Sequence, residues 1–197
     1  AKFSSQWIKK AEETTPNPVN TILFAKLVKN FEDLIAQKKK KRIFEPNEKI
    51  RLSAGTIKEL VKRFEEVDLH LIEDDLNGRM FETFLNATLR GKSLGQYFTP
   101  RSIVDIAVGL SDLHVGRNVS DCSQIIDACC GSGGFLIGAL NGMWGKVDSN
   151  ASLSMKEKQE IKKNIAENCI WGIDAARDPA LARIARMNMF LHGDGGS

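Results

Sequence analysis

Apolar residues recur at three- and four-residue steps through the first ninety positions, then give way to short β-branched runs that stop at acids. Val19, Ile22, Leu23, Leu27, Val28, Phe31, Leu34 and Ile35 fall on one helical face, with Pro16 and Pro18 just before it. The run Lys38 to Arg42 then closes this helix with positive charge, where the helix dipole favours it. Such a run could touch nucleic acid phosphates, although blocks of like charge are more often a solvated loop. Past Pro46 and Gly55, a second stripe runs through Ile57, Leu60, Val61, Phe64 and Val67. A third helix is predicted from Asn77-Gly78, carrying Met80, Phe81, Phe84, Leu85 and Leu89. Amphipathic helices joined by short polar links predict a helical bundle.

Gly91-Lys92-Ser93-Leu94-Gly95 reads as an interdomain joint, which predicts a helical domain over 1–92 and an α/β domain over 93–197. Thr99 is the expected N-cap of the helix that follows, with Pro100 at its first position and Ile103, Val104, Ile106, Ala107, Val108 and Leu110 along it. Tyr97 and Phe98 set two rings beside those helix N–H groups, a usable wall for a small molecule.

The centre of this half is Ile125 to Phe135, which reads as strand, glycine turn, helix. Glycine tolerates positive φ and has no Cβ, so Gly131, Gly133 and Gly134 let the chain bend sharply and a ligand come close around Ser132. The next helix starts with its N–H groups facing that ligand, which suits a carboxylate or phosphate. Asp127, at the strand's end, can accept from a ligand amine or from the loop's own N–H groups. Gly142 to Ser154 is rich in Gly, Ser and Asn and reads as a loop or insertion, and Lys156 to Asn168 as a charged surface helix. Cys169 to Asp174 is a second predicted strand ending in an acid. That acid either accepts from ribose hydroxyls, as in nucleotide-binding α/β folds, or caps a helix. Gly133 and Asp174 are 41 positions apart, about twice the ~20 of a dinucleotide fold, which argues against NAD unless Gly142 to Ser154 is an insertion. A last helix is predicted over Arg177 to Leu191, with Leu181, Ile184, Ala185, Asn188 and Met189 in step.

The 197 residues carry a net charge of +3, divided as +4 over 1–95 and −1 over 96–197. Basic surface is therefore biased to the first half. The four cysteines form no C-x-x-C pair and have no His at ligand spacing, so no zinc or other metal site is expected. Two of them, Cys129 and Cys130, fall on the predicted buried strand, and a reducing, cytoplasmic setting fits. The sequence has no signal peptide and no apolar run near the ~18–20 residues of a membrane span.

Three segments, in order, resemble the modification subunit of type I restriction-modification systems, an adenine-N6 DNA methyltransferase family dependent on S-adenosylmethionine. They are Gly95-Gln96-Tyr97-Phe98-Thr99-Pro100, Asp127 to Phe135, and Gly172-Ile173-Asp174 followed by Arg186 to Gly193. The resemblance implies an N-terminal helical bundle followed by a Rossmann-like S-adenosylmethionine-dependent methyltransferase domain. By the same resemblance, Gln96, Tyr97, Phe98, Thr99, Pro100 and Arg101 would line the methionine end of the cofactor. Asp127 would face its amino group, Gly131, Ser132, Gly133 and Gly134 would pass beneath it, and Asp174 would hold the ribose. Ala128 stands where the family usually has Pro, and Asp174 where it often has Glu.

The family's Asn-Pro-Pro-aromatic motif, which aims the target amine and stacks the flipped base, does not occur in this sequence. Asn17-Pro18 lies in the other half and lacks the second proline. The chain is therefore expected to be the first part of a longer protein, inactive alone, with its catalytic residues elsewhere. The resemblance implies DNA as substrate and two partners, a DNA-recognition subunit and a translocating nuclease subunit. Two alternatives remain: a non-catalytic cofactor-binding or scaffolding fragment, and part of a single-chain restriction-modification fusion enzyme.

Overall fold

Ser4 accepts a hydrogen bond from the Trp7 N–H at 3.3 Å and opens helix α1 (Ser5–Glu12). It is the first element of a computed structural model that describes residues 4–37, 42–66, 83, 99–175 and 181–194. Two compact units divide the chain, residues 1–74 and 75–197. The predicted joint at 91–95, with its boundary at 92/93, lies outside the described residues, as do Val67, Lys38 to Lys41 and, apart from the helical residue Thr83, the third predicted helix over 77–89.

In the first unit a wide π-helical turn, Val19–Phe24, runs into α2 (Ala25–Ala36). That turn carries more residues per revolution than an α-helix, so the predicted single apolar face is split. Val19, Val28 and Phe31 are buried, whereas Ile22 and Leu27 remain exposed. Helix α3 (Ala54–Phe64) is capped by Ser53 and buries Ile57 and Val61 against Ile8 and Val19. Asn20 ties the loop before α3 to the π-helical turn, donating to the Ile50 carbonyl at 2.9 Å and accepting from the Ile50 N–H at 3.1 Å.

The second unit begins with α4 (Arg101–Leu110). Thr99 is the cap expected from sequence, but Pro100 holds that position: its ψ of 140° keeps it out of the helix, and its carbonyl accepts from Ile103 and Val104. Among the described residues no side chain caps α4. Strand β1 (Ile125–Asp127) leads through the glycine turn to α5 (Gly134–Ser149), α6 (Met155–Asn168) and β2 (Ile170–Gly172). The two strands are parallel, with Ile125 opposite Ile170, Ile126 opposite Trp171 and Asp127 opposite Gly172. Parallel neighbours need such a helical crossover. Helix α7 (Leu181–Met189) ends in a π-helical turn, Phe190–Asp194.

Two sequence expectations are corrected here. Gly142 to Ser149 is not loop but the second half of α5, leaving only Asn150 to Ser154 as a connection. Met143 and Val147 continue the buried row of Leu136 and Leu140, and that burial outweighs the low helix propensity of Gly142 and Gly145. Cys129 and Cys130 lie in the turn after β1, not on the strand; Cys129 is exposed and Cys130 buried.

The core of this unit gathers Leu136, Leu140 and Met143 of α5, Ile161 and Ile165 of α6, and Ala185 and Met189 of α7. Helix α4 lies along a ridge of α5 made of glycines four residues apart. A Cβ on Gly134 would stand 2.8 Å from Arg101 Nη1, on Gly138 2.6 Å from Val104 Cγ1, and on Gly142 3.0 Å from Val108 Cγ1. Contacts advance in the same direction along both helices, so α4 and α5 run parallel and start side by side.

Candidate functional site

The site is built where those two helix starts meet the ends of the two strands. Gly131 has φ +55° and Gly133 φ +91°, conformations open to glycine at little cost, and Gly133 is the N-cap of α5 with no side chain to satisfy the first N–H groups. Arg101, first in α4, lays its guanidinium against Gly134, first in α5. Two positive helix ends therefore share one corner.

Both strand-end acids hold the loop between them. Asp127 Oδ1 accepts from the Cys129 N–H at 3.1 Å, an Asx-type turn. Asp174 Oδ2 accepts from the Gly131 N–H at 2.9 Å. The sheet pattern continues past the strands, with the Ile173 N–H on the Asp127 carbonyl at 2.8 Å and the Cys130 N–H on the Ile173 carbonyl at 2.9 Å. Between the two carboxylates the Cys130 thiol is pushed up to about 11, first by burial and then by the charges of Asp127 and Asp174. One thiol thus senses both acids.

The loop's far side rests on α7. Gly133 would meet Ala185 at 3.4 Å if it carried a Cβ, and Asn188 Nδ2 donates to the Ser132 carbonyl at 2.9 Å. Asn188 and Ser132 are both buried. Sequence periodicity places Asn188 in an apolar stripe and gives it no role of its own; the available signal is a polar residue among Leu181, Ala185 and Met189.

Of the residues expected at this site, Arg101, Asp127, Gly131, Ser132, Gly133, Gly134 and Asp174 come together around the loop, and Thr99 and Pro100 lead directly into Arg101. Gln96, Tyr97 and Phe98 lie outside the described residues. Asp174 commits one oxygen to the loop itself, accepting from the Gly131 N–H. No three His, Cys, Asp or Glu side chains among the described residues are placed to share a metal ion, and no described helix is long and apolar enough to cross a membrane. A cavity of about 290 Å³ near the other end of α5 is a poor rival: of its cations, Lys146 is paired with Asp112 at 3.2 Å and Arg117 with Glu157 at 3.6 Å.

This arrangement offers helix N–H groups for an anion, carboxylates for an amine or hydroxyls, and bare backbone for close approach. Comparison with known proteins points the same way. The N-6 DNA Methylase family matches residues 72–196. The type I restriction enzyme MjaIX methylase subunit of Methanocaldococcus jannaschii is 31% identical over 139 residues, 68% of this chain and 20% of that protein. The type II restriction enzyme and methyltransferase RM.BcgI of Heyndrickxia coagulans is 36% identical over 107 residues, 54% of this chain and 14% of that protein. The type I restriction enzyme HindI methylase subunit of Haemophilus influenzae is 39% identical over 71 residues, 35% of this chain and 14% of that protein. The chain thus spans at most about a fifth of the length of these relatives. With the matched stretch running through both helix starts and both strand-end acids, the chain belongs to the N-6 DNA methylase family.

Proposed function

We propose that the glycine-loop corner binds S-adenosylmethionine and that the chain is the cofactor-binding part of an adenine-N6 DNA methyltransferase of a restriction-modification system. Its second unit is then the first part of a Rossmann-like methyltransferase domain. The observation that carries this reading is the convergence of two helix starts and two carboxylates on one loop. The donor set fits the cofactor group by group. The starts of α4 and α5, with Thr99, Pro100 and Arg101, suit the methionine carboxylate. Asp127 suits the amino group and Asp174 the ribose hydroxyls. Gly131, Ser132, Gly133 and Gly134 offer backbone beneath the nucleoside, and Gln96, Tyr97 and Phe98 complete the wall. When bound, the cofactor supplies an electrophilic methyl group on sulfur.

What these residues do is bind and orient. The acids and the helix ends fix the ligand's amino group, ribose and carboxylate, and the loop sets its depth. Selecting and aiming an adenine amine needs acceptors that the family carries in its Asn-Pro-Pro-aromatic motif, which is absent from this sequence. The fragment is accordingly inactive alone, and DNA, a recognition subunit and a nuclease subunit act with the whole protein. Isothermal titration of the chain with S-adenosylmethionine tests the reading. Micromolar binding that disappears in Asp174→Ala supports it; no heat from the folded wild-type chain rejects a complete cofactor site in this fragment. A second reading, part of a single-chain restriction-modification enzyme, is favoured by the similarity to RM.BcgI. The length of the natural reading frame, and a nuclease domain in the same frame, distinguish the two.

A further inference from the structure

We infer that Asn188 is a positioning residue for this site, fixing the Ser132–Gly133 peptide so that its carbonyl faces the protein and not the ligand. The inference rests on the reading of the loop as an S-adenosylmethionine site. Both ends of that peptide are engaged: the Ser132 carbonyl accepts from Asn188 Nδ2 at 2.9 Å, and the Gly133 N–H donates to the Cys130 carbonyl at 2.7 Å. Because Asn188 is fully buried, the carbonyl it holds points into the protein.

The need for such a hold follows from the loop's composition. Gly133, the second residue of the peptide, and Gly131, on the other side of Ser132, both have positive φ, and glycine passes between backbone regions with little steric resistance. Without an interior donor, the peptide could turn its carbonyl outward. That would set a partial negative charge against the anionic end of the ligand, beside the helix starts that should attract it. Asn188 is also an unfavourable choice for its position. The other buried residues on its helix, Leu181, Ala185 and Met189, are apolar, and Asn188 Oδ1 is buried with no partner among the described residues. A polar side chain that leaves one of its own atoms unsatisfied is accounted for by what the other atom does.

Two variants of the chain test this, Asn188→Leu and Asn188→Asp, each compared with wild type by amide hydrogen exchange and by titration with S-adenosylmethionine at pH 8 and pH 5.5. Leu keeps the branched shape, at a somewhat larger volume, and removes the donor. We expect faster exchange confined to Gly131–Gly134, with the α5 interior unchanged, and S-adenosylmethionine affinity at least about tenfold weaker. A neutral Asp can donate to the Ser132 carbonyl and an ionised one cannot. The affinity of the Asp variant relative to wild type should therefore recover at pH 5.5, while that of the Leu variant does not. Wild-type loop exchange and affinity in Asn188→Leu would overturn the inference, as would a pH-independent defect in Asn188→Asp. If the Leu variant fails to fold, the pH response of the Asp variant decides. If wild type binds no S-adenosylmethionine, the cofactor reading fails, and the exchange measurement alone decides whether Asn188 holds the loop.

Discussion

Asp174 and Gly131, 43 positions apart in the chain, are joined by one hydrogen bond of 2.9 Å from the glycine N–H to the carboxylate. The acid just past β2 thereby sets the loop that follows β1. Replacing Asp174 by Ala removes a charged acceptor from a half-buried N–H, which costs about 1–2 kcal/mol of stability. Urea unfolding reads that loss, and titration reads the accompanying loss of S-adenosylmethionine binding. Asp174→Asn keeps an acceptor at the same distance, so it should recover most of the stability and less of the affinity.

The ridge between α4 and α5 gives a paired test within one helix. Gly138→Ala would place its methyl 2.6 Å from Val104 Cγ1, and Val104 is buried with a stiff, β-branched side chain. Overpacking of about 1–3 kcal/mol outweighs the gain of up to about 1 kcal/mol in helix propensity, so Gly138→Ala lowers the melting temperature. A methyl added at Gly145 would meet nothing within 4 Å, and Gly145→Ala should raise it. Thermal unfolding by circular dichroism compares the two.

The cysteines of the turn should separate by reactivity. Cys129 is exposed, whereas Cys130 is buried with its thiol pushed up to about 11. At pH 8 iodoacetamide should label Cys129 in the folded chain and leave Cys130 until unfolding, as read by mass spectrometry. A thiol whose folded value lies above its unfolded one contributes stability that is intact below about 9 and is lost as pH rises toward 11. Cys130→Ala should therefore flatten the decline of the unfolding midpoint between pH 9 and 11.

Helix α6 opens with a capping box: Ser154 Oγ accepts from the Glu157 N–H at 3.3 Å, and Glu157 Oε2 accepts from the Ser154 N–H at 2.8 Å. Hydrogen bonds from Ser154, and then the charge of Arg117, hold the Glu157 carboxyl below its usual range. Its contribution is present above the unfolded carboxylate range and is lost as pH falls through the lowered folded value. Ser154→Ala should cost about 1 kcal/mol at pH 7 and less at pH 3, measured by denaturant unfolding at both.

Legibility of the sequence followed how local each cause was. The turn at Gly131–Gly134 and the acids Asp127 and Asp174 were readable because glycines and strand-end carboxylates punctuate short β-branched runs. Gly142 and Gly145 misled because the same residue type that breaks helices in isolation also admits a neighbouring helix, and only the presence of Val108 across the interface shows the second use at Gly142. The cap of α4 moved by one residue, since a proline carbonyl served where a threonine side chain was expected. Asn188 was hidden by periodicity: its step along α7 matched core neighbours, and its partner, the Ser132 carbonyl, is 56 positions away.

The outward face of the two strands carries Ile126 at 67% exposure, Trp171 at 42% and, just past β2, Ile173 at 54%. Trp171 stands three residues before Asp174, so an indole looks into solvent close to the loop. Whatever comes to lie over that face, whether a helix or another subunit, must strip water from this ring. Its fluorescence would shift to the blue as that happens, so with Trp7 and Trp144 replaced by Phe the indole becomes an optical gauge of assembly that needs no added label.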